Sequence, residues 1–170
     1  MKKLIMLAIM AVFASSVSAQ LITSNRAVRG ERSHNIWLDA GVSFPTNEGA
    51  EGTILNLGFR YNKMFTEYVG WDILKIGAQA NTKDFGETIS AEALTGIRGE
   101  TPVLFGNAKA YANAAGGYLY TFDLKDGAFK WEVGLGLKLT PRFNIGATYE
   151  SYSKDGFTAS MIGVRLGVAL

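Results

Sequence analysis

The chain has 170 residues, of which 48% are hydrophobic, with 17 Lys plus Arg against 15 Asp plus Glu and no cysteine. The lack of cysteine excludes disulfides and thiolate metal sites. The near balance of charge removes the electrostatic basis for a nucleic-acid partner. A single domain is expected at this length, and only three prolines interrupt it.

Residues 1–19 predict a secretory signal peptide. Lys2 and Lys3 form a positive start, Leu4–Ala14 is apolar, and Val17-Ser18-Ala19 fits the small-residue cleavage rule. A retained transmembrane helix is the alternative, but it needs about 20 apolar residues. Cleavage would remove two lysines and leave a formally neutral mature chain. Residues 20–33 show no clear period and are interpreted as a periplasmic N-terminal segment.

Alternation of apolar and polar residues then continues through residues 34–170. It is clearest over Phe129–Leu139, where every odd position is apolar and every even position is charged or glycine. A period of two indicates a strand with one apolar face and one polar face. Eight such strands are predicted, near residues 35–44, 53–61, 67–77, 88–98, 107–120, 129–139, 143–152 and 158–170.

An even number of strands joined by hairpins is typical of bacterial outer-membrane barrels. Residues 34–170 contain no apolar run of helical-span length, so they could cross a membrane only as a closed barrel. The predicted fold is therefore all-β, an eight-stranded antiparallel up-and-down transmembrane β-barrel. With both termini in the periplasm, the links after strands one, three, five and seven would face outside.

The same alternation is compatible with a soluble lipocalin-like ligand-binding barrel whose apolar face points inward. Aromatic residues favour the membrane, because they gather near the strand ends while aliphatic residues occupy the strand centres. The outer rim is predicted to hold Phe44, Tyr118, Tyr120, Phe122, Phe129, Trp131, Tyr149, Tyr152 and Phe157. The inner rim is predicted to hold Tyr61, Phe65, Tyr68, Phe105 and Phe143. Two aromatic girdles suit a bilayer, although aromatic residues also favour strands in general.

The chain resembles the small eight-stranded outer-membrane barrel family that includes OmpX and the OmpA transmembrane domain. The resemblance covers about residues 34–170 and depends on this architecture, on Ala-Ala-Gly-Gly-Tyr at 114–118 and on the closing strand. It implies a location in the outer membrane. The expected partners are outer-membrane lipid, lipopolysaccharide and the outer-membrane assembly machinery, and the expected state is a monomer.

The predicted lumen face carries five acidic and six basic residues. They are Asp39, Arg60, Asp72, Glu92, Arg98, Lys109, Lys130, Glu132, Lys138, Glu150 and Arg165. An eight-stranded barrel has an interior just wide enough for side chains, and unpaired buried charges are costly. A salt-bridged plug is therefore predicted, with a narrow or gated ion path as the alternative.

Counting along the hairpins gives two more specific expectations. Asp72 is expected to lie opposite Glu92, with Lys109 or Arg60 between them as a bridging base. Asp39 is expected to be held by Arg60, by Arg165 or by both. Two facing carboxylates could also serve proton chemistry.

His34 is the only histidine, and Ser33 precedes it. Some outer-membrane barrels are lipid A-modifying enzymes that use a histidine at the outer-leaflet end, whereas His34 would lie at the periplasmic rim. No catalytic residue, metal site or cofactor motif is predicted. The predicted function is a non-enzymatic barrel that contributes to envelope integrity or surface contact. A lipid-modifying enzyme and a narrow pore are the alternatives.

Overall fold

A computed structural model of the protein describes residues 36–47, 52–83 and 89–170, which form a closed antiparallel barrel. Its strands are β1 (Ile36–Pro45), β2 (Ile54–Met64), β3 (Val69–Asn81), β4 (Ile89–Glu100), β5 (Lys109–Thr121), β6 (Asp126–Thr140), β7 (Phe143–Lys154) and β8 (Phe157–Ala169). The predicted fold class is confirmed. The predicted signal peptide, the segment 20–33 and the Ser33–His34 pair lie outside the described residues.

Each strand pairs with the next along the chain, and β1 pairs with β8 to close the barrel. The observed strands match the predicted ones to within a few residues. The largest differences are that β2 continues to Met64, that β3 continues to Asn81 and that β6 begins at Asp126. No helix in the described part of the chain is long and apolar enough to cross a membrane.

β3 contains a bulge that reverses its side-chain alternation. Tyr61 pairs with Leu74 while Asn62 pairs with Asp72, so Ile73 is the extra residue. Because of this insertion, inward positions change from even to odd numbers, and both Asp72 and Lys75 are buried in the lumen. The bulge explains why the alternation in this strand is uneven.

The outer face of the barrel is apolar and the inner face is polar. Leu135 and Ile97, near the strand centres, are 69% and 67% exposed, whereas charged side chains fill the interior. A soluble barrel would have the opposite arrangement, so this distribution supports the membrane interpretation. Trp131 and Tyr149 contact each other on the outer face, with ring centroids 5.5 Å apart.

One aromatic residue predicted for the outer girdle lies inside the barrel instead. Tyr152 was expected in the outer aromatic girdle, but it pairs with Lys130 across β6 and β7 and points into the lumen. The reason is that β7 keeps its even-numbered residues inside to its end. Leu38 keeps the outward register predicted for it, opposite Phe59 and Val168, although its side chain is buried.

Inward-facing glycines make room for large side chains in the narrow interior. A Cβ atom on Gly136 would lie 2.6 Å from Cζ of Tyr111 and 2.3 Å from the Ile145 carbonyl oxygen. A Cβ atom on Gly41 would lie 2.7 Å from Cγ of Arg165. These glycines therefore position Tyr111 and Arg165 across the lumen.

Candidate functional site: the charged lumen

The centre of the lumen is filled by three cations and three carboxylates, here called the central cluster. Its members are Lys75, Glu92, Lys130, Glu132, Glu150 and Arg165, and all six are buried. They come from β3, β4, β6, β7 and β8. Their formal charges cancel, as buried ions require.

Glu132 and Glu150 face each other directly across the β6–β7 pair. Arg165 bridges them from β8: its Nη1 lies 2.9 Å from Glu132 Oε2, and its Nη2 bonds Glu150 Oε1. Lys75 approaches from the opposite wall, with Nζ 2.5 Å from Glu132 Oε2 and 3.4 Å from Glu92 Oε1. Two adjacent carboxylates are thus held by cations from two different strands.

Lys130 is the most enclosed cation of the central cluster, with 0% exposure. Its Nζ lies 2.5 Å from Glu150 Oε2 and also bonds Glu92 Oε2. Gln79 donates hydrogen bonds from Nε2 to the same two carboxylates, at 3.0 Å to Glu92 and 3.2 Å to Glu150. The carboxylates therefore have both charge partners and neutral donors, which is the condition under which buried ion pairs persist.

A second group lies nearer the termini. Arg60 donates two hydrogen bonds to Asp39, from Nε at 2.9 Å and from Nη2 at 3.1 Å, and its Nη1 lies 3.6 Å from Asp72. Asn62 donates to Asp72 at 2.8 Å. The planar guanidinium fork suits this two-point contact with one carboxylate.

A third group lies beside the second. Arg98 donates from Nε to Glu100 at 3.0 Å, and Lys138 Nζ lies 3.6 Å from the same carboxylate. The Arg98 guanidinium carbon lies 3.8 Å from the centre of the Tyr111 ring, in cation–π geometry. Lys109 is only partly buried and faces Lys138 across the β5–β6 pair.

All eleven charged residues predicted for the lumen lie on inward positions of their strands, but some of their partners differ from the expected ones. Asp72 faces Gly96, and Glu92 faces Gly77, so the expected Asp72–Glu92 pair is wrong. The count ended β3 too early: the strand continues to Asn81 and β4 begins at Ile89, so Asp72 faces a later part of β4.

The facing carboxylates are instead Glu132 and Glu150. Of the two partners expected for Asp39, Arg60 is observed. The Arg165 side chain lies over Gly41 and binds Glu150 on the neighbouring strand β7 and Glu132 on β6 instead.

The lumen residues that the sequence did not predict include Lys75, Glu100 and Tyr111. Lys75 was hidden by the bulge, and Glu100 was placed in a turn although β4 includes it. The alternation of β5 could have identified Tyr111, because it lies two residues after Lys109 on the same face.

The space between these groups is small. A void of about 20 Å³ is lined by residues of all three groups, including Asp39, Arg98, Tyr111, Glu132 and Arg165. Such a volume holds about one water molecule. In the described ranges, no cluster of three or more His, Cys, Asp or Glu residues is arranged to hold a metal ion.

No protein-family model and no curated protein matches the sequence. Solved structures do match. The outer membrane enzyme PagL is similar at 15% identity with a TM-score of 0.63, over 79% of this chain and 99% of that chain. The de novo designed barrel TMB2.3 gives 13% identity and a TM-score of 0.52, over 80% and 94% of the two chains.

Neisserial surface protein A gives 13% identity and a TM-score of 0.50, over 79% of this chain and 96% of that chain. At these identities the likeness concerns the fold. Together with the apolar exterior, it supports the predicted location in the outer membrane. The chain has the fold of the small eight-stranded outer-membrane β-barrels.

Proposed function

We propose that this protein is a sealed, non-enzymatic outer-membrane barrel that contributes to envelope integrity or surface contact. The observation that carries the proposal is the central cluster, in which Lys130, Glu132 and Glu150 are at most 2% exposed. A conducting pore needs a continuous water path, whereas these charges neutralise one another. An eight-stranded barrel has little spare width beyond its own side chains.

Planar-bilayer recording tests the seal. The purified barrel, inserted into a bilayer, is expected to give no steady conductance above the lipid background. A sixteen-stranded porin reconstituted in the same way provides the positive control, and heat-dependent gel mobility verifies that the test protein is folded. A stable channel of porin-like size would refute the seal and favour transport.

The role in the envelope is tested in cells. Deletion of the gene is expected to increase entry of a hydrophobic dye or to reduce attachment to a surface, and the intact gene should restore the original behaviour. If a deletion changes neither property, the proposed role is wrong even where the lumen is sealed.

An enzyme acting on membrane lipid is the alternative, because PagL is an outer membrane enzyme with a similar fold. Mass spectra of lipid A from cells with and without the protein separate the two functions. Identical spectra are expected for a non-enzymatic barrel. A loss or gain of an acyl chain that depends on the protein would favour the enzyme.

A further inference from the structure

The barrel end opposite the termini contains a cavity of about 290 Å³ that the sealed lumen does not explain. We call it the outer cup. Its lining includes Ile54, Ser90, Leu119, Thr121, Ala128 and Tyr152. This volume is close to the lower end of the range for small-molecule pockets.

The walls of the outer cup include apolar side chains on the inward face of the barrel. Inward positions of β2, β5, β6 and β7 here are Ile54, Leu119, Ala128 and Tyr152, whereas β6 and β7 carry buried charged residues in the centre. Apolar side chains at a mouth that faces solvent are unfavourable, because contact between apolar surface and water costs free energy. A ligand that covers these walls would recover that free energy.

The floor of the outer cup is closed. Gln79 is held there by its hydrogen bonds to Glu92 and Glu150. Tyr152 donates from its hydroxyl group to Met161 Sδ at 3.2 Å, and Met161 is itself buried. The cup is therefore a blind site suited to binding and not to passage.

The polar groups of the outer cup indicate what it would bind. Ser90 Oγ and Thr121 Oγ1 lie 2.9 Å apart and share one hydrogen bond, which leaves acceptor lone pairs on this hydroxyl pair. Asp126 already pairs with Lys154 at the rim. A charged ligand would lose its hydration without gaining an unpaired partner.

We propose that the outer cup binds a small uncharged amphipathic molecule, consisting of one ring or a short chain that carries a hydroxyl group. The apolar part lies against Leu119 and Tyr152. The hydroxyl group donates to Ser90 or Thr121. This inference goes beyond the proposed function, since a sealed barrel needs no such site.

The test uses the full barrel in lipid nanodiscs, with methyl-labelled leucine and isoleucine followed by NMR. 4-Fluorophenol is the probe, and 4-fluorobenzoate is the charged probe of similar size. We expect 4-fluorophenol to shift the Leu119 and Ile54 methyl signals saturably. Leu135, on the lipid face, should show only the linear shift that follows partition into lipid. 4-Fluorobenzoate should give no saturable shift.

Ala128→Phe fills the outer cup and is expected to weaken binding of 4-fluorophenol at least tenfold. Ala147→Phe adds the same ring on the lipid face and is the matched control, with binding unchanged. Ser90→Ala, which removes a hydroxyl acceptor without adding bulk, is expected to weaken binding severalfold. Ser90→Ala provides the binding test if Ala128→Phe does not fold, that is, if it lacks the heat-dependent gel mobility of the folded barrel.

The proposal is overturned if the Leu119 signal does not saturate with 4-fluorophenol, if 4-fluorobenzoate binds equally well, or if Ala128→Phe and Ser90→Ala both bind like the unmodified protein. Conductance is measured separately. A conducting lumen would refute the proposed function without changing the binding result.

Discussion

Replacement of Lys130 by methionine should be among the most destabilising single changes in this barrel. Methionine keeps the length of the side chain but removes its charge. In the folded barrel, Lys130→Met would leave three carboxylates of the central cluster against two cations, Lys75 and Arg165. The uncompensated charge would be buried where water cannot reach it.

The magnitude follows from the distances. Two unit charges separated by 2.5 Å, as Lys130 and Glu150 are, attract by about 7 kcal/mol at an effective dielectric constant of about 20. Desolvation of both ions offsets most of that gain in the native protein. Removal of the Lys130 charge leaves the desolvation of Glu150 uncompensated, which lowers the free energy of unfolding by about 3–5 kcal/mol.

Denaturant unfolding in lipid vesicles, followed by tryptophan fluorescence, measures the effect. Lys154→Met is the matched control, because Lys154 also pairs with a carboxylate, Asp126, but both side chains are substantially exposed at the rim. Surface pairs of this kind contribute little. The reasoning fails if Lys130→Met destabilises the barrel no more than Lys154→Met does.

A double variant separates charge from packing. Glu92→Gln added to Lys130→Met restores neutrality in the central cluster, and it should recover part of the lost stability. A coupling free energy of about 0.5–3 kcal/mol is expected, as for residues in one network. If the two changes simply add, the cost of Lys130→Met lies in lost packing instead.

The same unfolding assay checks three further predictions. Leu135→Arg places a charge on the lipid face near the bilayer centre and should cost about 2–4 kcal/mol; a neutral effect would mean that the faces are reversed. Gly136→Ala should cost about 1–3 kcal/mol because its methyl group meets Tyr111 and a carbonyl oxygen; wild-type stability would contradict this close contact. Arg60→Lys keeps the charge but loses the two-point contact with Asp39, at about 1.5–3 kcal/mol, and Arg60→Met should cost more.

The architecture could be predicted because each strand can be identified from the alternation of its own residues. In β6, six apolar residues alternate with charged residues and glycine over eleven positions, and only a strand exposes the two sets on opposite faces. Repetition of the pattern eight times gives the strand count, and hairpin connection gives the pairing. These are local properties, so they do not depend on contacts between distant residues.

Side-chain partners in the lumen could not be predicted in the same way. The residues directly opposite Arg165 on the two neighbouring strands are Gly41 and Gly146. Its side chain instead binds Glu150, further along β7, and Glu132 on β6. In a narrow barrel, a long side chain can reach several walls, so the register of adjacent strands does not determine its partner. The partner of Asp72 was also mispredicted, because β3 continues to Asn81, beyond its predicted end, and Asp72 therefore pairs with Gly96.

The charged interior is better explained by specificity than by stability. Buried ion pairs are often no more stabilising than well-packed apolar residues. In this barrel, however, an apolar interior would give every strand two similar faces. A one-residue slip exchanges the faces of a strand, and here it would bring Glu132 and Lys130 into lipid and Val133 into the lumen. The central cluster therefore penalises each wrong register by exposing charges to hydrocarbon, and this penalty selects one closed arrangement among the eight strands.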